Sequence, residues 1–228
     1  MKRRSVYILK HASNEDAGTI LDYLRRKNIS FESIDLYNGA KLPEDLSVVR
    51  SVVIMGGPMN VYEEEKFPFL KDEDLFIRRL LDRNIPILGV CLGSQLIAKA
   101  SRSRVTKAPV EEVGWDTVEL TREALKDSLF SRIGENTLKV FQWHGDTFDL
   151  PKNATLLAQG QAVKHQAFRL KDNVYGLQFH VEVNRAMLAD WFKNRGDLDL
   201  LLKEYDQYQP KLEQITGGLY NSFFKRFG

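Results

Sequence analysis

Apolar residues recur along the first two-thirds of the chain in two alternating rhythms. Short segments, Ser5–Leu9, Ser30–Leu36, Ser51–Met55 and Ile85–Val90, have strand length. Val52–Met55 is apolar throughout, as a strand covered on both faces would be. Helical spacing separates these runs. Ile20, Leu21 and Leu24 repeat at that period behind Asn14, which reads as an N-cap with Glu15 and Asp16 in the first turn, and Lys27-Asn28 ends the segment. Phe69–Leu81 carries Leu70, Leu75, Ile77, Leu80 and Leu81, a second amphipathic helix, and Leu92–Ala100 is helix-compatible. Strands alternating with helices predict right-handed crossovers and a largely parallel sheet.

From about Val105 the texture changes. Val113–Leu120, Thr137–Phe141, Thr155–Gln159, Val163–Leu170 and Val174–Phe179 read as short strands without long helices between them, predicting an antiparallel addition. Helical spacing returns after Asn184, through Met187, Leu188, Trp191 and Phe192. It continues over Leu198–Tyr220 with a break at Gln209-Pro210. The expectation is an α/β chain with an open, mostly parallel sheet flanked by helices and a small antiparallel addition. No repeat or linker divides it, so residues 1–228 read as a single domain with a C-terminal helical extension from about residue 196 to 228.

Composition narrows the function classes. Thirty-three Lys and Arg against 31 Asp and Glu leave a net charge of +2, so nucleic acid is a poor default partner. A single cysteine, Cys91, excludes a disulfide framework and a thiolate-rich zinc site. The start, Met1–Ser5, leads into an apolar run too brief for a signal-peptide core, and no stretch nears the roughly 18 apolar residues of a membrane span. The expectation is a cytoplasmic protein in a reducing compartment, with no membrane partner.

Ile85–Leu96 carries the strongest chemical signal. A buried strand ends on Gly89-Val90-Cys91-Leu92-Gly93, a nucleophile-type residue flanked by glycines at minus two and plus two. This is the thiol form of a strand–nucleophile–helix elbow, whose strained turn lifts the side chain off the sheet edge. The following helix dipole favours thiolate. A lone cysteine is more often a small buried hydrophobe, but the glycine frame after an apolar strand reverses that preference. A thiolate for acyl transfer needs a histidine base and a group that orients it. His144-Gly145-Asp146 and His180-Val181-Glu182 both offer the pair, because a spacing of two puts both side chains on one face of an extended segment. On the residues alone the two histidines are equally eligible. His11, behind the first strand, and His165, in a polar strand, read as ordinary surface residues. Met55-Gly56-Gly57-Pro58-Met59 closes the third strand with a turn able to hold a backbone N–H toward the crevice above the sheet.

In this order and spacing these motifs resemble the class I (triad) glutamine amidotransferases, above all the amidotransferase domain of GMP synthetase and its stand-alone relatives. The resemblance rests on Gly56-Gly57-Pro58, Gly89–Gln95, Trp143-His144-Gly145-Asp146 and His180-Val181-Glu182, and reaches to about residue 195. It implies a flavodoxin-like fold and a reaction that releases ammonia from glutamine through a γ-glutamyl thioester. Cys91 is then the nucleophile, His180 the base and Glu182 the residue that orients it. Gly57 and Leu92 supply the oxyanion-hole N–H groups, Gln95 contacts the substrate, and Trp143, Gly145 and Asp146 hold its α-amino and carboxylate groups. His144 becomes a structural or pocket-lining residue, not the base.

No metal or organic cofactor is implied. The implied partners are glutamine or another γ-glutamyl compound and an ammonia-accepting synthase subunit. The sequence has neither a Ser-Gly-Gly-Val-Asp-Ser-like loop nor a Walker-type phosphate loop to activate an acceptor itself. Two other readings use the same resemblance: a γ-glutamyl peptidase or hydrolase with a larger leaving group, and a non-catalytic subunit on the same fold. Met55, before the Gly-Gly-Pro turn, and Met59–Tyr62 after it depart from the family pattern.

Overall fold

The structure, a computed structural model, describes residues 4–226; Met1–Arg3 and the last two residues lie outside it. Among the described residues nine strands form one sheet in the order β2-β1-β3-β4-β9-β8-β7-β5-β6. They are β1 Ser5–Lys10, β2 Phe31–Asp35, β3 Val49–Ile54, β4 Ile87–Val90, β5 Val105–Leu120, β6 Thr137–Phe148, β7 Ala154–Gln159, β8 His165–Leu170 and β9 Val174–Leu177. The helices are α1 Gly18–Arg26, α2 Phe69–Asp82, α3 Leu92–Ala100, α4 Arg185–Trp191 and α5 Leu198–Arg226.

The expected parallel core is present as β2-β1-β3-β4-β9, but only this half of the sheet is parallel. The other half, β8-β7-β5-β6, pairs antiparallel and is larger than the small addition expected. The β5–β6 hairpin accounts for most of the difference. Its inner part is polar, and a register shift falls between Lys107 and Glu112, around Pro109. Proline and a bulge hide the alternation that marks a strand.

One face of the sheet packs on α1 and the C-terminal part of α5, through Ile20, Leu24, Tyr220 and Phe223. The other packs on α2 and α3, through Leu70, Ile77, Leu80 and Leu96. A third cluster, Trp115, Phe141, Leu188, Trp191 and Phe192, joins α4 and the first half of α5 to the hairpin. That packing carries α5 through Pro210 as one helix where a break was expected, because Tyr205 and Leu212 are buried on either side of the proline.

The start of α1 also differs. Its first helical residue is Gly18, capped by Ala17 and not Asn14. Gly18 has φ +41°, and a Cβ there would overlap the Glu182 carbonyl, so glycine lets the helix begin against the segment that follows β9. The stretch Asn14–Ala17 is instead a loop over the crevice, and the neighbouring Thr19 N–H donates to the Glu182 carbonyl at 2.9 Å. The crevice lies above the carboxyl ends of the parallel strands, where the order turns at β1 and β3; open α/β sheets bind ligands there.

Candidate active site

Four loops meet over that crevice, following β1, β3, β4 and β9. Cys91 stands between β4 and α3 with φ +51° and ψ −110°, a conformation that costs a non-glycine residue of order 1–3 kcal/mol. The flanking glycines make the turn possible. A Cβ on Gly93 would overlap the Ile54 carbonyl of β3, and one on Gly89 would stand 2.6 Å from the Gly93 backbone. The helix therefore seats close against the sheet, and the thiol sits at its N-terminus. Cys91 Sγ lies 3.6 Å from the Trp143 carbonyl, to which it donates, and Ser94 Oγ donates to the Cys91 carbonyl at 2.7 Å.

His180 follows β9. Its N–H donates to the Phe141 carbonyl at 2.8 Å, which ties the segment to β6. Nδ1 stands 2.8 Å from Glu182 Oε1, with both side chains about 1% exposed. Nε2 is buried without a hydrogen-bond partner within the protein. Burial works to lower the pKa of His180, but the charges of Glu182 and Cys91 and the hydrogen bond to Glu182 outweigh it and hold the imidazole well above the ordinary histidine value. The arrangement favours the imidazolium form of His180.

A cavity of about 240 Å³ opens above Cys91. Gly57, Leu92, Gln95, Trp143, Gly145, Asp146 and His180 all line it, and Glu182 stands behind His180. The residues singled out in the sequence are thus brought together. Gln95 Nε2 is already engaged, donating to the Asp146 carbonyl and to Gln178 Oε1, each at 3.2 Å, which leaves its amide oxygen for a ligand. Asp146 Oδ2 is buried without a partner. His144 lines the cavity too, yet its nitrogens stand 2.9 Å from Glu112 Oε2 and 3.0 Å from the Asp146 carbonyl oxygen. The His144-Asp146 side-chain pair suggested by spacing does not form.

Four side chains at or near this cavity, His11, Glu73, Glu15 and Gln178, were unassigned or misread. His11, expected at the surface, is 1% exposed. Its Nδ1 lies 2.9 Å from the Gly56 carbonyl oxygen and its Nε2 3.0 Å from Glu73 of α2, itself fully buried. Both partners are acceptors, so the ring serves them best as the doubly protonated cation. Burial opposes that charge, and Glu73, the Gly56 carbonyl and Glu15 overcome the opposition and raise the His11 pKa. Glu15, read as a first-turn helix residue, lines the cavity on the His180 side. Gln178, two residues before His180, is fully buried with Nε2 4.0 Å from Cys91 Sγ. A carboxylate on the apolar stripe of α2, between Leu70 and Ile77, was the one signal for Glu73. His165 is partly buried, its Nδ1 2.7 Å from the Phe148 carbonyl oxygen.

Among the described residues no group of three or more His, Cys, Asp or Glu side chains is placed to hold a metal ion, and no helix is long and apolar enough to cross a membrane.

Fold and cavity together define an α/β protein with a cysteine elbow at the carboxyl end of a parallel sheet and a histidine–carboxylate pair across from it. The chain belongs to the glutamine amidotransferase class-I family, whose profile matches residues 17–194. It is 30% identical over 180 residues to the glutamine amidotransferase-like protein YfeJ of Salmonella typhimurium, covering 78% of this chain and 75% of that one. It is 31% identical to gamma-glutamyl peptidase 4 of Arabidopsis thaliana over 71% of this chain and 64% of the peptidase. GMP synthase of Porphyromonas gingivalis is 32% identical over 65% of this chain, which spans only 28% of that enzyme's length. The crystal structure of a glutamine amidotransferase from Thermotoga maritima superposes with a TM-score of 0.90 at 36% identity, covering 99% of both chains.

Proposed function

We propose that this chain is a cysteine-dependent glutamine amidotransferase or glutaminase that works through a γ-glutamyl thioester. The observation that carries the reading is the wall of the cavity: Cys91 on its strained elbow beside a buried His180 that Glu182 holds at 2.8 Å.

Cys91 attacks the side-chain amide carbon. Leu92, the first residue of α3, and Gly57 offer their N–H groups to the oxyanion. The Gly57 N–H shares a trans peptide plane with the Gly56 carbonyl, and the two point opposite ways. His11 takes the carbonyl on one side, which leaves the N–H facing the other. That supports an oxyanion hole formed before any partner binds, and so turnover by the isolated chain. His180 passes a proton to the departing nitrogen, and water then hydrolyses the thioester. Gln95, Trp143 and Gly145 frame the glutamyl backbone, and the unpaired Asp146 Oδ2 suits an α-ammonium group.

A γ-glutamyl peptidase would use the same groups with a larger leaving amine, and the likeness to the Arabidopsis peptidase favours keeping that reading beside the first. The GMP synthase relatives suggest an ammonia-accepting synthase partner. Ammonia release from glutamine, compared with amine release from a panel of γ-glutamyl amides and peptides, tests the reading. No release from any of them would overturn it.

A further inference from the structure

The proposed reaction leaves two carboxyls of the cavity wall unused, the exposed Glu111 and the buried Glu15, and it is Glu15 that stands beside the base. It belongs to the loop between β1 and α1, is 7% exposed, and has no hydrogen-bond or salt-bridge partner among the described residues. A Cβ built on Gly56 would overlap Glu15 Oε2 and stand 3.3 Å from His180 Cε1, so the carboxyl and the imidazole flank the same glycine. An unpartnered buried carboxyl is expensive to keep, and one that opens onto a ligand cavity is satisfied when a donor arrives there.

Two buried carboxyls line the cavity on different walls: Asp146, whose Oδ2 has no partner, beside Gln95, and Glu15 beside His180. A γ-glutamyl amide has donors at both of its ends, the α-ammonium and the amide nitrogen that leaves. With the first assigned to Asp146, we propose that Glu15 forms a subsite for the departing amine, accepting its N–H groups as His180 protonates it. The ligand class is ammonia or a small unhindered primary amine. This rests on the thioester reading above and extends it.

The subsite works in both directions. In the forward step the amide C–N bond breaks and the His180 proton goes to nitrogen, leaving the γ-glutamyl group on Cys91. In reverse, the amine lone pair attacks the thioester carbonyl, the C–S bond breaks, the surplus amine proton returns to His180 and Cys91 leaves as thiolate. Burial raises the proton affinity of the Glu15 carboxyl, and the charges of His180 and His11 offset part of that rise.

The test uses the full chain with L-glutamine and γ-glutamyl methyl ester as donors and hydroxylamine or methylamine as acceptor. In the wild type, γ-glutamyl transfer to the amine should saturate. Glu15→Ala should remove the saturation, lower the partition of thioester between amine and water about tenfold, and lower kcat/KM for glutamine about tenfold more than for the ester, the loss expected for one hydrogen bond to a charged group. Glu15→Gln, close in shape and able to accept, should fall between the two and serves if the alanine variant unfolds. Unchanged partition and an unchanged amide-to-ester ratio in both variants would overturn the subsite. So would equal losses on both donors, which would place Glu15 on a part of the substrate that the two share. Intact-mass detection of the γ-glutamyl adduct on Cys91 separates the failures: no adduct in the wild type from either donor overturns the thioester reading itself, and the subsite with it.

Discussion

His11 Nδ1 lies 2.9 Å from the carbonyl oxygen of Gly56, on the far side of the peptide plane from the Gly57 N–H. Under the proposed mechanism this contact aims one oxyanion donor, and Glu73 holds the ring that makes it. Removing an oxyanion donor outright costs about 10²–10³ in kcat, so loosening it through Glu73→Gln should cost about tenfold with KM little changed. His11→Ala should cost more and also lower stability by about 3–5 kcal/mol, because it strands the Glu73 charge. Steady-state kinetics with thermal melts checks both. A KM effect with kcat intact would mean the pair only supports the pocket.

The two candidate bases should separate in the same way. His180→Ala should lose about 10²–10⁴ in turnover, the usual worth of a positioned acid–base group. His144 is held by Glu112 and the Asp146 carbonyl, so His144→Ala should act mainly through KM. The reverse ranking would move the reaction to the wrong wall of the cavity.

Backbone strain at Cys91 gives a prediction independent of chemistry. At φ +51° and ψ −110° alanine is strained and glycine is not. Of two variants that both lack the thiol, Cys91→Gly should therefore be more stable than Cys91→Ala by about 1 kcal/mol, the strain relieved less the entropy glycine adds to the unfolded chain. Urea denaturation of both proteins measures the difference, and a less stable glycine variant would refute the strained elbow.

Stability should fall as pH rises. His11 and His180 both bind protons more tightly folded than unfolded. The stabilisation they bring is complete below about pH 6.5, the unfolded histidine value, and is lost as pH climbs through their raised folded values. Melting temperature should decline across that alkaline range, and less steeply in Cys91→Ala, which removes one of the charges holding the His180 proton. A flat profile would mean that neither ring carries the extra proton.

The C-terminal helix, beyond the span matched by the family profile, reaches the site through Tyr220, whose hydroxyl donates to the Val181 carbonyl at 3.1 Å and lies 2.9 Å from Thr19 Oγ1. Val181 sits between His180 and Glu182. Tyr220→Phe should cost about 1–3 kcal/mol for the buried groups it leaves unsatisfied and lower kcat several-fold.

Much of this fold was legible because burial writes itself into apolar runs. Leu92–Ala100 begins and ends where its spacing places it, and β3 and β4 are read to within two residues. The polar β5–β6 hairpin was underread because Pro109 and its charged neighbours break the alternation on which strand reading depends. In the site, Cys91, His180 and Glu182 stand in motifs whose spacing is local. Glu15, His11 and Glu73 do not: the sheet order alone brings the end of β1, the turn after β3 and the face of α2 together. Glu15 even carried a misleading local signal, since an acidic residue ahead of a helix normally complements its dipole.

The most direct test is rapid-quench intact mass of the purified chain mixed with glutamine, followed by peptide mapping and parallel measurement of released ammonia. The account predicts one γ-glutamyl adduct, on Cys91, forming and decaying in step with ammonia release, and absent from Cys91→Ala. Ammonia release that persists in Cys91→Ala, or an adduct on any other residue, would contradict it.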